Sequence, residues 1–127
     1  MATSSEEDYL RAIYELDSGT GMVRSVDVAT ALGVSKPSVN KALAVLEDEG
    51  YISRLRYGPI QLTHKGKING KRLRDRYLAV QAFLTDKLGV APEVAAEEAH
   101  QMEHALSKDT VTKLEEFMDA EGGVQDK

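Results

Sequence analysis

The 127-residue chain is predicted to be mostly α-helical with a small β-hairpin, arranged as an N-terminal winged helix-turn-helix followed by a second, helical domain. Three observations predict this class. Apolar residues recur at helical spacing through most of the chain. Two short helical stretches meet through Gly33-Val-Ser35, the join of a helix-turn-helix. After them, two stretches that alternate apolar and polar residues flank Arg56-Tyr-Gly58, as the arms of a hairpin do.

Taken in order, Ser4-Ser-Glu-Glu7 reads as a capping box, and Leu10, Ile13 and Leu16 set a helical rhythm from about Glu6 to Asp17. Ser18-Gly-Thr-Gly21 closes that helix. Ser25 is expected to cap a short helix, Val26 to Leu32, which Gly33 ends. Ser35 caps the next helix, Pro37 is tolerated in its first turn, and Val39, Leu43 and Leu46 form its buried stripe up to Gly50. Tyr51 to Leu55 and Pro59 to Leu62 are the wing. Thr63 is expected to cap a long helix, broken or weakened near Gly66 and Gly70, with Leu73, Tyr77, Val80, Leu84 and Leu88 on one side. Leu78, Ala82 and Phe83 make the helix apolar on further sides, which predicts a symmetric homodimer interface. Pro92 opens a helix to about Leu106. Ser107 caps a last one, with Val111, Leu114, Phe117 and Met118 inward, and residues from Glu121 read as a frayed tail. The domains are therefore 1–72, a DNA-binding winged helix-turn-helix, and 73–127, a helical dimerisation and metal-binding domain.

The apolar share of 42% and charged share of 29% are those of a globular protein, and no apolar run approaches the roughly 20 residues of a membrane span. There is no basic, apolar leader and no Cys, which excludes a thiolate metal site and points to the cytoplasm. The net charge of −5 is unevenly spread. Residues 51–76 carry eight Lys or Arg against Asp75 alone, and residues 77–127 carry eleven acids against four basic residues. That split suits one part that meets a polyanion and another that holds cations, against the plainer reading of two solvated faces.

On the third helix, Pro37 and Lys41 fall roughly opposite Val39, with Ser38 and Asn40 beside them and Ser35 and Lys36 at its start. This is the face a recognition helix offers to the major groove of double-stranded DNA. Lys donates to guanine, Asn pairs with adenine, and Ser or the Pro ring touches base edges. Arg54, Arg56 and Tyr57 on the wing suit phosphates or the minor groove. Further on, His100-Gln-Met-Glu-His104 places two of the three histidines one helical turn apart with Glu103 beside them. Imidazole and carboxylate so spaced are ligands for a divalent transition metal. A fourth ligand must come from elsewhere, and Glu6, Glu7 or Asp8 is available. The same five residues also spell the inverzincin zinc-protease motif, but a peptidase needs further ligands and a cleft, and has no use for a basic wing.

The chain resembles the diphtheria toxin repressor / manganese transport regulator family of metal-dependent winged-helix repressors. Glu7-Asp-Tyr-Leu-Arg-Ala-Ile-Tyr-Glu-Leu16, Gly33-Val-Ser-Lys-Pro-Ser-Val39, Leu62-Thr-His-Lys-Gly66, Leu84-Thr-Asp-Lys-Leu-Gly89 and Glu103-His-Ala-Leu-Ser107 carry the likeness across nearly the whole chain. It is closest in length to the short, manganese-regulator type, which lacks the SH3-like third domain. The resemblance implies that Asp8, Glu103 and His104 are metal ligands, with His100 where the family supplies Glu or Cys. Tyr77 stands where the family commonly has a metal-binding His, Arg11 where a second Glu can stand, and Gln81 and Ala96 at positions of a second site. One metal per subunit is therefore expected, held by Asp8, His100, Glu103 and His104: Mn²⁺ or Fe²⁺, with Co²⁺ or Zn²⁺ also suited to two imidazoles and two carboxylates. The implied function is a metal-responsive repressor of manganese or iron homeostasis, binding its operator as a homodimer. The alternative is a repressor of the same fold that binds DNA independently of metal.

Overall fold

In a computed structural model the described residues are 4–17, 19, 21–54 and 58–125, with Ser4 and residues 121–125 described by backbone alone. The element order is α1 (Ser4–Leu16), α2 (Ser25–Leu32), α3 (Lys36–Asp48), β1 (Ile52–Arg54), β2 (Ile60–Leu62), α4 (His64–Ala82), a π-helical turn (Phe83–Lys87), α5 (Pro92–Ala105) and α6 (Lys108–Gln125). The chain divides into two compact units, Met1–Arg74 and Asp75–Lys127, with the division inside α4.

In the first unit, Leu10 and Ile13 of α1, Val28 of α2, and Val39, Leu43 and Leu46 of α3 are buried together with Ile52, Ile60 and Leu62 of the hairpin. The 3.6-residue rhythm thus points each helix's apolar stripe at a shared core. The strands pair antiparallel, Ile52 with Leu62, Ser53 with Gln61 and Arg54 with Ile60, and the Ile60 amide also donates to the Val23 carbonyl at 2.7 Å in an isolated bridge. Because side chains alternate along a strand, Ile60 and Leu62 go inward while Gln61 stays exposed. Gly33 and Gly50, with φ of 65° and 83°, supply the left-handed turns that end α2 and follow α3.

Three local expectations are corrected here. α1 begins at Ser4, so Ser4 lies in the helix and not ahead of it. Ser25 is the first residue of α2, not its cap; Arg24 is the cap and offers no side-chain bond, and its carbonyl accepts from Asp27 and Val28. Finally, α4 runs unbroken through Gly66 and Gly70. These glycines do not weaken the helix; they let it come close to its neighbours. A Cβ on Gly66 would collide with the Tyr51 carbonyl oxygen, and one on Gly70 would stand 2.7 Å from the Tyr14 Cβ. Thr63 does cap α4: its hydroxyl accepts from the Gly66 amide at 3.0 Å and donates to the Gly50 carbonyl at 2.6 Å, tying helix start to wing.

In the second unit the buried core is smaller: Val80, Leu84, Ala95 and Ala99, with Tyr77, Phe83, Met102 and Leu114 partly covered around it. The helix that carries Val80 does not continue as α-helix to Leu88. The turn Phe83–Lys87 widens, and the Leu88 amide reaches back to the Phe83 carbonyl at 3.3 Å. Thr85 back-bonds through its hydroxyl to the carbonyls of Gln81 and Ala82, which competes with the regular ladder. Leu88, expected on the buried stripe, is consequently 60% exposed. Ser107 caps α6 by accepting from the Thr110 amide at 3.1 Å. Phe117, expected inward, is 44% exposed and meets Phe83 edge-on at 6.3 Å. The segment from Glu121, expected as a frayed tail, continues α6 as far as Gln125.

Candidate metal centre and nucleic-acid interface

The outer face of α3 is built by its cap. The Ser35 hydroxyl accepts from the Ser38 amide at 3.3 Å, and Pro37 occupies a first-turn position where no amide is needed. With Val39, Ala42, Leu43 and Leu46 turned into the core, Ser35, Lys36, Pro37, Ser38, Asn40 and Lys41 are all exposed. A cationic, amide-bearing strip of this kind, backed by a rigid core, is what a base-reading helix requires. On the wing, Arg54 ends β1 half-buried. Arg56 and Tyr57 lie outside the described residues.

Behind the wing, α4 carries a second cationic row. Lys67, Lys71 and Arg74, with Tyr14 and Asp17 of the α1 end, line an open groove of about 850 Å³ in the first unit. Their spacing of four and three residues puts the cations on one helix face. The sequence showed the charges but not that they shared a groove. Asp8 sits on α1, half-buried at a cleft of about 200 Å³ with Arg11 and Glu15.

The three ligands expected on α5 lie within one turn of that helix, in the second unit. His100 and His104 stand one turn apart with ring centroids 5.7 Å apart and planes at 79°. Glu103 is only 1% exposed, the one buried charged residue among those described. Two imidazoles and a carboxylate on one helix face form a donor set that fits a divalent transition metal.

Arg76 of α4 was not singled out from the sequence. Its Nε and Nη2 donate to Glu103 Oε1 at 3.3 and 3.1 Å, and Nη2 lies 3.4 Å from His104 Nδ1. In the sequence it is one of eight cations in a run, 27 residues from its partner, and nothing local marks it. Tyr77, next to it, does no ligand chemistry here. Its hydroxyl donates to the Ala96 carbonyl at 3.3 Å, so the side chain braces α4 against α5.

Comparison with known proteins adds an independent line. Residues 1–59 match the N-terminal DNA binding domain of the iron dependent repressors, and residues 63–120 match their metal binding and dimerisation domain. The chain is 36% identical over 116 residues to the transcriptional regulator MntR of Salmonella typhimurium, covering 91% of this chain and 73% of that protein. Among solved structures, the manganese regulator SloR superposes with a TM-score of 0.78 at 29% identity, over 90% of this chain and 53% of that one. ScaR with bound Zn²⁺ gives 0.74 at 30% identity, again over 90% and 53%. The chain thus spans about half the length of these two structures.

Proposed function

The chain belongs to the iron-dependent repressor family of metal-responsive transcriptional regulators, which are not enzymes, and from that membership we propose that it represses genes of manganese or iron homeostasis with a divalent metal as co-repressor. The observation that supports this reading is the spacing of His100, Glu103 and His104 along α5, with the two imidazole rings 5.7 Å apart, inside the stretch that matches the family's metal-binding domain.

In this proposal Asp8, His100, Glu103 and His104 hold one metal per subunit, Mn²⁺ or Fe²⁺ in the cell, with Co²⁺ and Zn²⁺ as substitutes in solution. Ser35, Lys36, Pro37, Ser38, Asn40 and Lys41 face the major groove, and Arg54, Arg56 and Tyr57 follow the backbone or minor groove. Residues 1–72 are the DNA-reading part and residues 73–127 the metal-binding and dimerisation part of a cytoplasmic homodimer. Ligands drawn from both parts couple the recognition helices to the two-fold axis, so that their spacing matches a whole number of DNA turns. The metal supplies this tie and no other chemistry. By linkage, metal tightens DNA binding by the same factor as DNA tightens metal binding.

The test is fluorescence anisotropy on DNA upstream of the protein's own gene and of divalent-metal uptake genes, in chelator and in Mn²⁺, anaerobic Fe²⁺, Co²⁺ or Zn²⁺ at fixed salt. At least a tenfold tightening by one or more metals is expected, with His104→Ala abolishing the response. A second reading, DNA binding independent of metal, is favoured by Tyr77, which braces α5 through Ala96 where the resemblance calls for a ligand. It predicts the same tight binding in chelator as in metal.

A further inference from the structure

The contacts of Arg76 fall on two of the residues proposed above as metal ligands. Glu103 is a buried carboxylate, and a buried charge is costly unless paired. Arg76 supplies the pairing charge, with two N–H groups on Oε1. The same guanidinium nitrogen that donates at 3.1 Å stands 3.4 Å from Nδ1 of His104. A guanidinium has five donors, no acceptor and no accessible neutral form, so it cannot be a ligand and cannot step aside by losing its proton. Facing a donor that never deprotonates, His104 Nδ1 takes the hydrogen bond only with its lone pair. A divalent cation that takes Glu103 and His104 meets a guanidinium already holding one carboxylate oxygen and one imidazole nitrogen, and competes with that positive charge for both side chains.

We propose that Arg76 is a built-in competitor for the metal: it neutralises Glu103 and engages His104, and its hold on them sets the concentration at which the site fills. The inference rests on the ligand assignment proposed above. It assigns opposite consequences to one side chain. Without metal Arg76 stabilises the fold, because it pairs a buried charge. Toward metal it is antagonistic, because its positive charge opposes a second cation on the same two side chains. A residue that merely positioned Glu103 for the ion would act in the same direction on both.

The experiment compares wild type, Arg76→Gln and Arg76→Lys as full-length protein. Mn²⁺ affinity is read by competition with a fluorescent chelator, and thermal unfolding is followed with and without Mn²⁺. The expected result is Mn²⁺ binding about tenfold tighter in Arg76→Gln, a lower melting temperature without metal, and a larger gain in melting temperature on adding it. Arg76→Lys keeps the charge but not the fork; it shows the same directions at smaller size and carries the test if the Gln variant does not fold. Unchanged or weaker Mn²⁺ affinity in the folded variants overturns the proposal and leaves the ligand assignment standing. Absence of Mn²⁺ binding in wild type and variants alike overturns both. Binding that emerges only when Arg76 is replaced is the competitor model at its limit.

Discussion

The two units are built on different principles. In the first, thirteen buried apolar residues from four helices, the α1–α2 connection and a hairpin form one core that closes around large aliphatic side chains such as Leu10, Ile13, Leu43 and Ile60. In the second, the buried cluster is four residues, two of them alanines, and a carboxylate is buried. Burial contributes roughly 25 cal/mol per Å² of apolar surface, so the first unit holds itself together and the second has little to spare.

That contrast can be broken or sharpened by mutation. The largest effect is expected from Gly66→Ala. Its Cβ meets the backbone carbonyl of Tyr51, which has no rotamer by which to withdraw, so urea unfolding should show a loss of about 4 kcal/mol or more in the first unit. A loss below about 1 kcal/mol, the ordinary sign of a helical Gly→Ala change aside, would mean the close approach is not obligatory. Next come the two core leucines. Leu43→Ala should cost about 2–5 kcal/mol whatever the protein concentration. The cost of Leu84→Ala should depend on concentration, because dissociation and unfolding of the second unit are linked. Unfolding of both variants that is indifferent to a hundredfold dilution would show that the second core is self-sufficient. The smallest effect is that of Ser35→Ala, about 1 kcal/mol on the first unit through the lost cap, read by the same denaturation curves.

What was legible in the sequence follows from range. Val39, Leu43 and Leu46 repeat within one helix, Ser35 bonds three residues away, and Gly33 and Gly50 answer to their own φ angles. Each is local, and each is visible as a residue type at a spacing. Gly66 and Gly70 are not, because the same letters that weaken an isolated helix permit close packing, and only the positions of Tyr51 and Tyr14 decide between the two. In the candidate metal centre, the i, i+3, i+4 spacing of His100, Glu103 and His104 marks three ligands on one helix. Arg76 escapes the same reading because its role comes from a pairing across 27 residues and from the burial of its partner. Tyr77 shows as a departure from a pattern, but its hydrogen bond to a backbone carbonyl leaves no mark in sequence at all.

The π-helical turn at Phe83–Lys87 has a consequence for how positions correspond between this chain and its relatives. A turn with one residue more than its neighbours acts as an insertion that adds no loop. Each residue advances a regular helix by about 100°, so Leu88, the last position before Gly89 ends the helix, is rotated by that amount against an uninterrupted one. Counting along from α4 therefore misnumbers equivalent residues by one from Leu88 onward when a relative lacks the turn. Correspondence must be anchored twice, on Tyr77 and Val80 before it and on Ala95 and Ala99 after it, and any role transferred to α5 depends on the second anchor alone.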